Sequence, residues 1–250
     1  IMKIYKSSDY DIALKSDHTP ITIADRMAHN SIKSSLGATR IPILSEEGRS
    51  MLYEERCNWE LFWLVDPLDG TVEFIKGNNE FTVNIALMEN NLCVSAIVYV
   101  PYHHKIYIAE RGRGAWVMHD VAPDDEAKYS YEEIRTNCET LPLATAAHDG
   151  YRVAVSRSHQ TPETHAHIET LRTEHPTLEV IEQGSSYKFC LLAEGSVDYY
   201  VRTTTTSEWD TAAGELILAE AGGATYDFNT HTPLLYNKEV LDNPWFIAHR

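Results

Sequence analysis

Cysteine is scarce in this sequence: four residues among 250, Cys57, Cys93, Cys138 and Cys190, stand far apart and form no CxxC pair. That argues against a disulfide framework and against a thiolate zinc cluster, and reads as reduced thiols. Histidines are scattered, and pairs such as His103 with His104 or His165 with His167 lack a second ligand pair at metal spacing, so most of them read as surface residues. Bases are few as well, 21 Lys and Arg against 37 Asp and Glu, for a formal charge of -16. Such a surface repels a polyanion, which argues against a nucleic-acid polymer as partner. No apolar run reaches the roughly 18 residues that a membrane span needs. No basic, apolar, small-residue leader opens the chain. The expectation is a cytoplasmic protein, with peripheral association at the inner membrane face left open.

What is present begins with 43% hydrophobic residues, enough to bury a full core as one large domain or two small ones. The most informative stretch is LFWLVDPLDGT, Leu61 to Thr71. An apolar, strand-like run ends in Asp66 and Asp69, separated by Pro67 and Leu68 and followed by Gly70 and Thr71. Burying two carboxylates at a strand end is costly unless something positive neutralises them, and no Lys or Arg follows until Lys76. A metal ion answers that need. A turn made by Pro67 and Gly70, with both acids capping local backbone, is the other reading. The design recurs at IPILSEEG, where a short β-branched run ends in Glu46 and Glu47. Adjacent strand residues point to opposite faces, so at most one of these glutamates faces a shared site.

The remaining elements can be read in order. Ile1 to Tyr5 opens without a cap or polar lead-in, as a helix missing its first turns. Thr22 can cap a helix with Asp25 three positions on, and by itself Asp25 needs no further role. Thr71 to Lys76 can form one helical turn, which would point N–H groups at Gly70 and Thr71 outward, as a phosphate requires. Phe81 to Met88 and Leu92 to Val100, joined by Glu89, Asn90 and Asn91, form a hairpin pattern that Lys105 to Glu110 and Ala115 to Val117 continue. The first half is therefore expected to hold an antiparallel sheet with helices on one side.

Residues 119–150 are acidic and lack a period, which places a domain joint there. The division expected is an α+β subdomain over 1–125 and an α/β subdomain over 150–250. In the second half, strands at Arg152 to Ser156, Leu178 to Ile181 and Val197 to Val201 alternate with helices after Pro162, at Ser185 to Glu194 and at Thr211 to Ala221. Asp210 reads as the N-cap of that last helix and Gly222 with Gly223 as its stop.

The EE pair, the DPLDGT run and the WDTAAG run at Trp209 to Gly214, in this order, resemble the lithium-sensitive, magnesium-dependent phosphomonoesterases that include inositol monophosphatase and fructose-1,6-bisphosphatase. The lines WLVDPLDGTVEFIKGNNEFTVNIAL, SRSH at Ser156 to His159 and GSSYKFCLLAEG at Gly184 to Gly195 are most similar to the bacterial CysQ-type 3'(2'),5'-bisphosphate nucleotidases. The resemblance covers nearly the whole chain and implies an α/β, inositol-monophosphatase-like αβαβα sandwich with a mixed sheet in the C-terminal half.

It implies a site as well. Glu46, Asp66 and the Leu68 carbonyl would bind one Mg²⁺, and Asp66 would bridge to a second held also by Asp69 and Asp210. Asp25 and Thr71 would orient the attacking water, with a third, weaker metal shared with Glu46, while Glu47 would stand behind. Gly70 and Thr71 would face the phosphate. His159, Ser185, Lys188 and Arg202 would line the nucleotide pocket, the last two suited to the phosphate that is not cleaved. The implied partner is a small nucleotide bisphosphate, with 3'-phosphoadenylyl sulfate as a second substrate. Two metals about 4 Å apart can activate water and stabilise the leaving oxygen without a covalent intermediate.

Three competing readings can be separated. A haloacid-dehalogenase phosphatase needs Asp-x-Asp, whereas Asp66 and Asp69 are spaced Asp-x-x-Asp. An inositol or sugar phosphatase of the same fold differs in substrate only. A non-catalytic module that senses adenosine bisphosphate would have no need of Glu46, Asp25 and Thr71 together. The expected departures from the family lie in the first helix and in the pocket wall over Thr203 to Asp210.

Overall fold

Strand Leu61–Asp69 lies one place in from the edge of a seven-stranded sheet in the computed structural model, which describes residues 1–7, 9–15, 18–122, 130–146 and 148–250. Across the sheet the order is Ile43–Ser45, Leu61–Asp69, Thr82–Glu89, Leu92–Val100, Lys105–Glu110, Gly114–Met118 and Glu139–Thr140. Every neighbouring pair is antiparallel except the first: Ile43–Ser45 runs parallel to Leu61–Asp69, with Ser45 opposite Val65. The expected antiparallel sheet is thus corrected at one edge, and the correction matters for function. Parallel pairing brings the C-terminal ends of both strands, and so Glu46 and Asp66, to the same end of the sheet.

The hairpin of Thr82–Glu89 and Leu92–Val100 turns through Asn90 and Asn91, both left-handed at φ 48° and 64°. Two such residues make the hairpin turn whose twist matches that of the strands, and asparagine tolerates the conformation.

The second sheet is mixed, in the order Glu179–Gln183, Arg152–Ser156, Tyr199–Arg202, Phe246–His249 and Ala224–Asp227. The first three strands are parallel and the last two join antiparallel. Its strands are apolar on both faces because both are covered. Val153, Val155, Tyr199, Val201 and Ile247 pack with Ile168 of the outer helix Pro162–Glu174, while Ala154, Tyr200, Phe246 and Ala248 face the other way.

That other way lie helices Tyr187–Glu194 and Glu208–Glu220, sandwiched between the sheets. Phe189, Leu192, Leu216 and Ile217 share one buried cluster with Phe62, Leu64, Val98 and Tyr107 of the first sheet. Gly214 lets the two helices touch: a Cβ there would stand 2.7 Å from Phe189 ring carbons. Helix Ile23–Gly37 packs on strand Leu61–Asp69, and short helix Met2–Ser7 joins a cluster of Met2, Ala24, Leu68, Phe74 and Phe81. The layers therefore alternate helix, sheet, helix, sheet, helix, as the resemblance implies.

The expected joint over 119–150 falls partly on residues 123–129 and 147, which lie outside the described residues. Its described part holds helix Tyr131–Asn137 and strand Glu139–Thr140, which pairs with Trp116 and Val117 and so belongs to the first sheet. All four cysteines are free thiols. Among the described residues no helix is long and apolar enough to cross a membrane.

Candidate active site

Leu61–Asp69 stays a strand through Asp69 and does not break into a turn at Pro67, but its register against Thr82–Glu89 slips between Asp66 and Asp69. Pro67 has no N–H to give to the ladder, so regular pairing fails there, and a bulge of this kind re-aims the side chains around it. The turn comes at Gly70, with φ at 89° and a hypothetical Cβ only 2.9 Å from the Glu80 carbonyl oxygen. Glycine alone meets both demands. Helix Thr71–Lys76 follows at once, as expected.

Behind it, the Thr71 hydroxyl lies 3.0 Å from Asp25 Oδ1 and 3.3 Å from the Leu68 carbonyl. Asp25 Oδ2 accepts from the Thr22 N–H at 2.8 Å and the Thr22 hydroxyl at 2.5 Å. Asp25 thus completes a capping box and holds Thr71 with the same carboxylate.

A cavity of about 670 Å³ opens above this point. One side of it is lined by Glu46, Asp66, Leu68, Asp69, Gly70, Thr71 and Asp210, the other by His159, Ser185, Lys188 and Arg202. Asp25 is the one residue of the expected set that does not line it, being buried beneath Thr71.

Asp66, Asp69 and Asp210 each offer a carboxylate oxygen within 4.8 Å of the others. Asp210 arrives from the far end of the chain, and not as an N-cap. Helix Glu208–Glu220 starts earlier than its apolar pattern suggests; Ser207 precedes it, and Asp210 in its third position accepts from the Ser207 N–H at 2.7 Å. Glu46 stands beside Asp66, close enough for the charge of each to act on the other.

Burial, and then the neighbouring acids, hold Asp66 and Asp210 well above the usual carboxylate range, and burial also raises Glu46. Acids this hard to ionise together, with only oxygen donors in the cluster, fit a hard divalent cation, so the triad could hold a metal.

Lys15 is a site residue that the sequence alone did not flag. Its Nζ lies 2.6 Å from Glu46 Oε1 and 2.5 Å from Glu47 Oε1. Of the two glutamates only Glu46 lines the cavity, yet Glu47 is not turned to solvent, its side chain being 7% exposed. The strand ends at Ser45, so strict alternation no longer governs the two acids, and both converge on Lys15.

The opposite wall is built around a strained turn. Ser185 is left-handed at φ 53°, and a Cβ on Gly184 would meet Glu73 Cγ at 2.5 Å. Lys188 braces this turn by donating to the Gln183 and Ser185 carbonyls at 3.0 and 2.6 Å, and its Nζ sits 5.1 Å from the centre of the Tyr200 ring. An ammonium group has three N–H donors, so these two bonds leave one, and Lys188 is among the residues that line the cavity.

Burial, and then the Arg202 charge, bring Lys188 down to about 7, against the opposing pull of Asp69, Glu73 and Glu80. Arg202 Nε is buried with no partner among the described residues. Burial lowers His159 too, favouring the neutral ring, and the His159 backbone N–H donates to Ser156 Oγ at 3.2 Å. Other bases of this half are already paired: Arg152 with Glu179, Arg157 with Glu80 and Glu182, Arg172 with Glu169, Lys238 with Glu208. Glu73, missed in the sequence, also lines this wall, and its Oε1 is buried and unpartnered among the described residues.

A five-layered sandwich that gathers acids from both halves around one cavity defines a class. The chain belongs to the inositol monophosphatase family, whose model matches residues 1–248. The 3'(2'),5'-bisphosphate nucleotidase CysQ of Escherichia coli (strain K12) is 38% identical over 250 residues, 98% of this chain and 92% of its own. CysQ of Haemophilus influenzae is 34% identical over 94% of this chain and 82% of its own. The crystal structure of CysQ from Bacteroides thetaiotaomicron, a bacterial member of the inositol monophosphatase family, superposes with a TM-score of 0.89 at 46% identity, covering 99% of this chain and 90% of that one. SuhB from Bartonella henselae, at 24% identity and a TM-score of 0.72, shares the fold.

Proposed function

We propose that this chain is a phosphoric monoester hydrolase that removes the 3'-phosphate of adenosine 3',5'-bisphosphate, giving AMP and phosphate. The observation that carries this reading is the meeting of Asp66, Asp69 and Asp210 within 4.8 Å at one side of a cavity whose other side bears Lys188 and Arg202. One wall suits cations and the other suits a second phosphate. The likeness to the CysQ nucleotidases supports the choice of a nucleotide substrate.

In this reading Mg²⁺ is the metal, two ions with a third, weaker one, held by Glu46, Asp66, the Leu68 carbonyl, Asp69 and Asp210. The ions supply charge neutralisation and an activated water. Thr71, fixed by Asp25, accepts a hydrogen bond from the attacking water and orients it. Gly70 and Thr71 face the phosphate that is cleaved. Arg202 offers a fork and Lys188 a point charge to the phosphate that is retained, while His159 and Ser185 flank the nucleoside. Residues 1–125 would thus supply most of the metal site, and residues 150–250 the nucleotide wall and the last metal ligand. 3'-Phosphoadenylyl sulfate is a second candidate substrate, and the free thiols support a cytoplasmic location.

The test is phosphate release in Mg²⁺ from adenosine 3',5'-bisphosphate, inositol 1-phosphate and fructose 1,6-bisphosphate side by side. The nucleotide should give the highest kcat/KM. An equal or higher value for inositol or sugar phosphate would overturn the substrate assignment, and binding without turnover would overturn the enzyme.

A further inference from the structure

Asp69 has two carboxylate oxygens, and among the described residues its hydrogen bonds all fall on one. Oδ2 accepts from the Ser186 N–H at 2.6 Å, from the Ser186 hydroxyl, and from Asn84 Nδ2 at 3.4 Å. A carboxylate on a broad, two-fold torsion has little intrinsic preference for which oxygen points where. Donors gathered on a single oxygen supply that preference and leave Oδ1 for the acid cluster.

The hydroxyl that does this is itself oriented. Asn84 Nδ2 donates to Ser186 Oγ at 2.9 Å and fills one of its lone pairs. The single hydroxyl proton then has two acceptors in reach, Asp69 Oδ2 and the Asp210 carbonyl, the latter at 2.6 Å. A carboxylate oxygen is a stronger acceptor than a peptide carbonyl and takes it. Ser186 and Asn84 are 4% and 1% exposed, so neither bond competes with bulk water. Ser186 therefore touches two of the three clustered acids, the side chain of Asp69 and the backbone of Asp210. It does so from the turn before helix Tyr187–Glu194, whereas Asn84 comes from the first sheet, directly opposite Asp66.

We propose that Ser186, held by Asn84, is a positioning residue for metal binding: it clamps Asp69 Oδ2 so that Oδ1 faces the cation shared with Asp66 and Asp210. The inference rests on the metal site proposed above. Its neighbour Ser185 has a different task, since the Ser185 carbonyl and hydroxyl serve Lys188 and the Tyr187 N–H within the turn.

The test is calorimetric titration of Mg²⁺ into the full chain without substrate, for the wild type, Asp66→Asn, Ser186→Ala and Asn84→Ala, with the melting temperature of each metal-free protein measured alongside. The wild type should bind and Asp66→Asn should not. Ser186→Ala should bind about tenfold more weakly, the usual scale for removing a group that orients a metal ligand, and Asn84→Ala should shift in the same direction. A folded Ser186→Ala variant with wild-type Mg²⁺ affinity overturns the clamp and leaves the metal site standing. Should Ser186→Ala fail to fold, Asn84→Ala, which leaves the 184–187 turn intact, decides: wild-type affinity there overturns the clamp. A wild type that does not bind Mg²⁺ overturns the metal site and the clamp with it.

Discussion

Thr71 Oγ1 lies 3.0 Å from Asp25 Oδ1, and the other oxygen of Asp25 is spent on Thr22. The carboxylate therefore cannot reach the cavity and acts through the threonine. Thr71→Val keeps the shape and the capping box but removes the hydroxyl. We expect kcat to fall about 100-fold, with the melting temperature within about 3 °C of wild type. A kcat within tenfold of wild type would remove Thr71 from the mechanism.

Asp66 is buried and repelled by Glu46, Asp69 and Asp210, so its folded-state pKa lies above its unfolded value. A folded state that binds the extra proton loses stability as pH rises through that interval. Asp66→Asn should therefore abolish Mg²⁺-dependent turnover and yet melt, in EDTA at neutral pH, at or above the wild-type temperature. Added Mg²⁺ should raise the melting temperature of the wild type only. Residual activity within tenfold, or an equal rise for both proteins, contradicts the assignment.

Lys188 sits near 7, so it is charged below that pH and neutral above it. The free enzyme should lose affinity for the second phosphate as pH rises from about 6 to 8. At saturating Mg²⁺, kcat/KM for adenosine 3',5'-bisphosphate should decline over that range. Lys188→Ala should lose that dependence and raise KM for the bisphosphate, with little effect on a substrate bearing one phosphate. Equal losses on both substrates would mean that Lys188 serves only to brace the 183–185 turn.

Away from the cavity, the Tyr236 hydroxyl donates to Glu215 Oε2, and burial pushes Glu215 up to about 7. Between the ordinary value of 4.5 and about 7 the folded protein keeps a proton that the unfolded chain releases. Stability should accordingly fall as pH rises through that window. Glu215→Gln should flatten the fall and gain about 2 kcal/mol at pH 8, measured by urea unfolding. An unchanged pH profile would show that Glu215 is not the group responsible.

Much of the site was legible because its signals are local. Two acids at the end of an apolar run cannot be left unneutralised whatever surrounds them, so Asp66 and Asp69 announce a site in one stretch of chain. Gly70 and the double asparagine at 90–91 mark their turns through backbone conformation, which is also a local property.

What was missed lacks such signals. Asn84 is one polar residue inside a largely apolar strand, and its importance comes from lying opposite Asp66 and bonding Ser186. Nothing in GSSYK distinguishes the serine that clamps Asp69 from its neighbour. Lys15 stands 31 residues before Glu46 and meets it only in the folded chain. Asp210 was placed at the wrong capping position because the apolar pattern begins at Thr211, whereas the helix begins at Glu208, with Glu208 itself buried and bonded to the Asn237 N–H.

The amino-acid sequence by itself determined that this is a layered α/β protein carrying three acidic motifs, since periodicity, turn chemistry and the cost of buried charge all act over a few residues. Only the tertiary structure decided that the motifs make one site. A parallel edge strand sets Glu46 beside Asp66, a bulge at Pro67 re-aims Asp66 and Asp69, and the packing of Glu208–Glu220 between the two sheets delivers Asp210. Strand order, parallel or antiparallel pairing and helix docking are set by the burial of whole faces at once, and no window of sequence contains that sum.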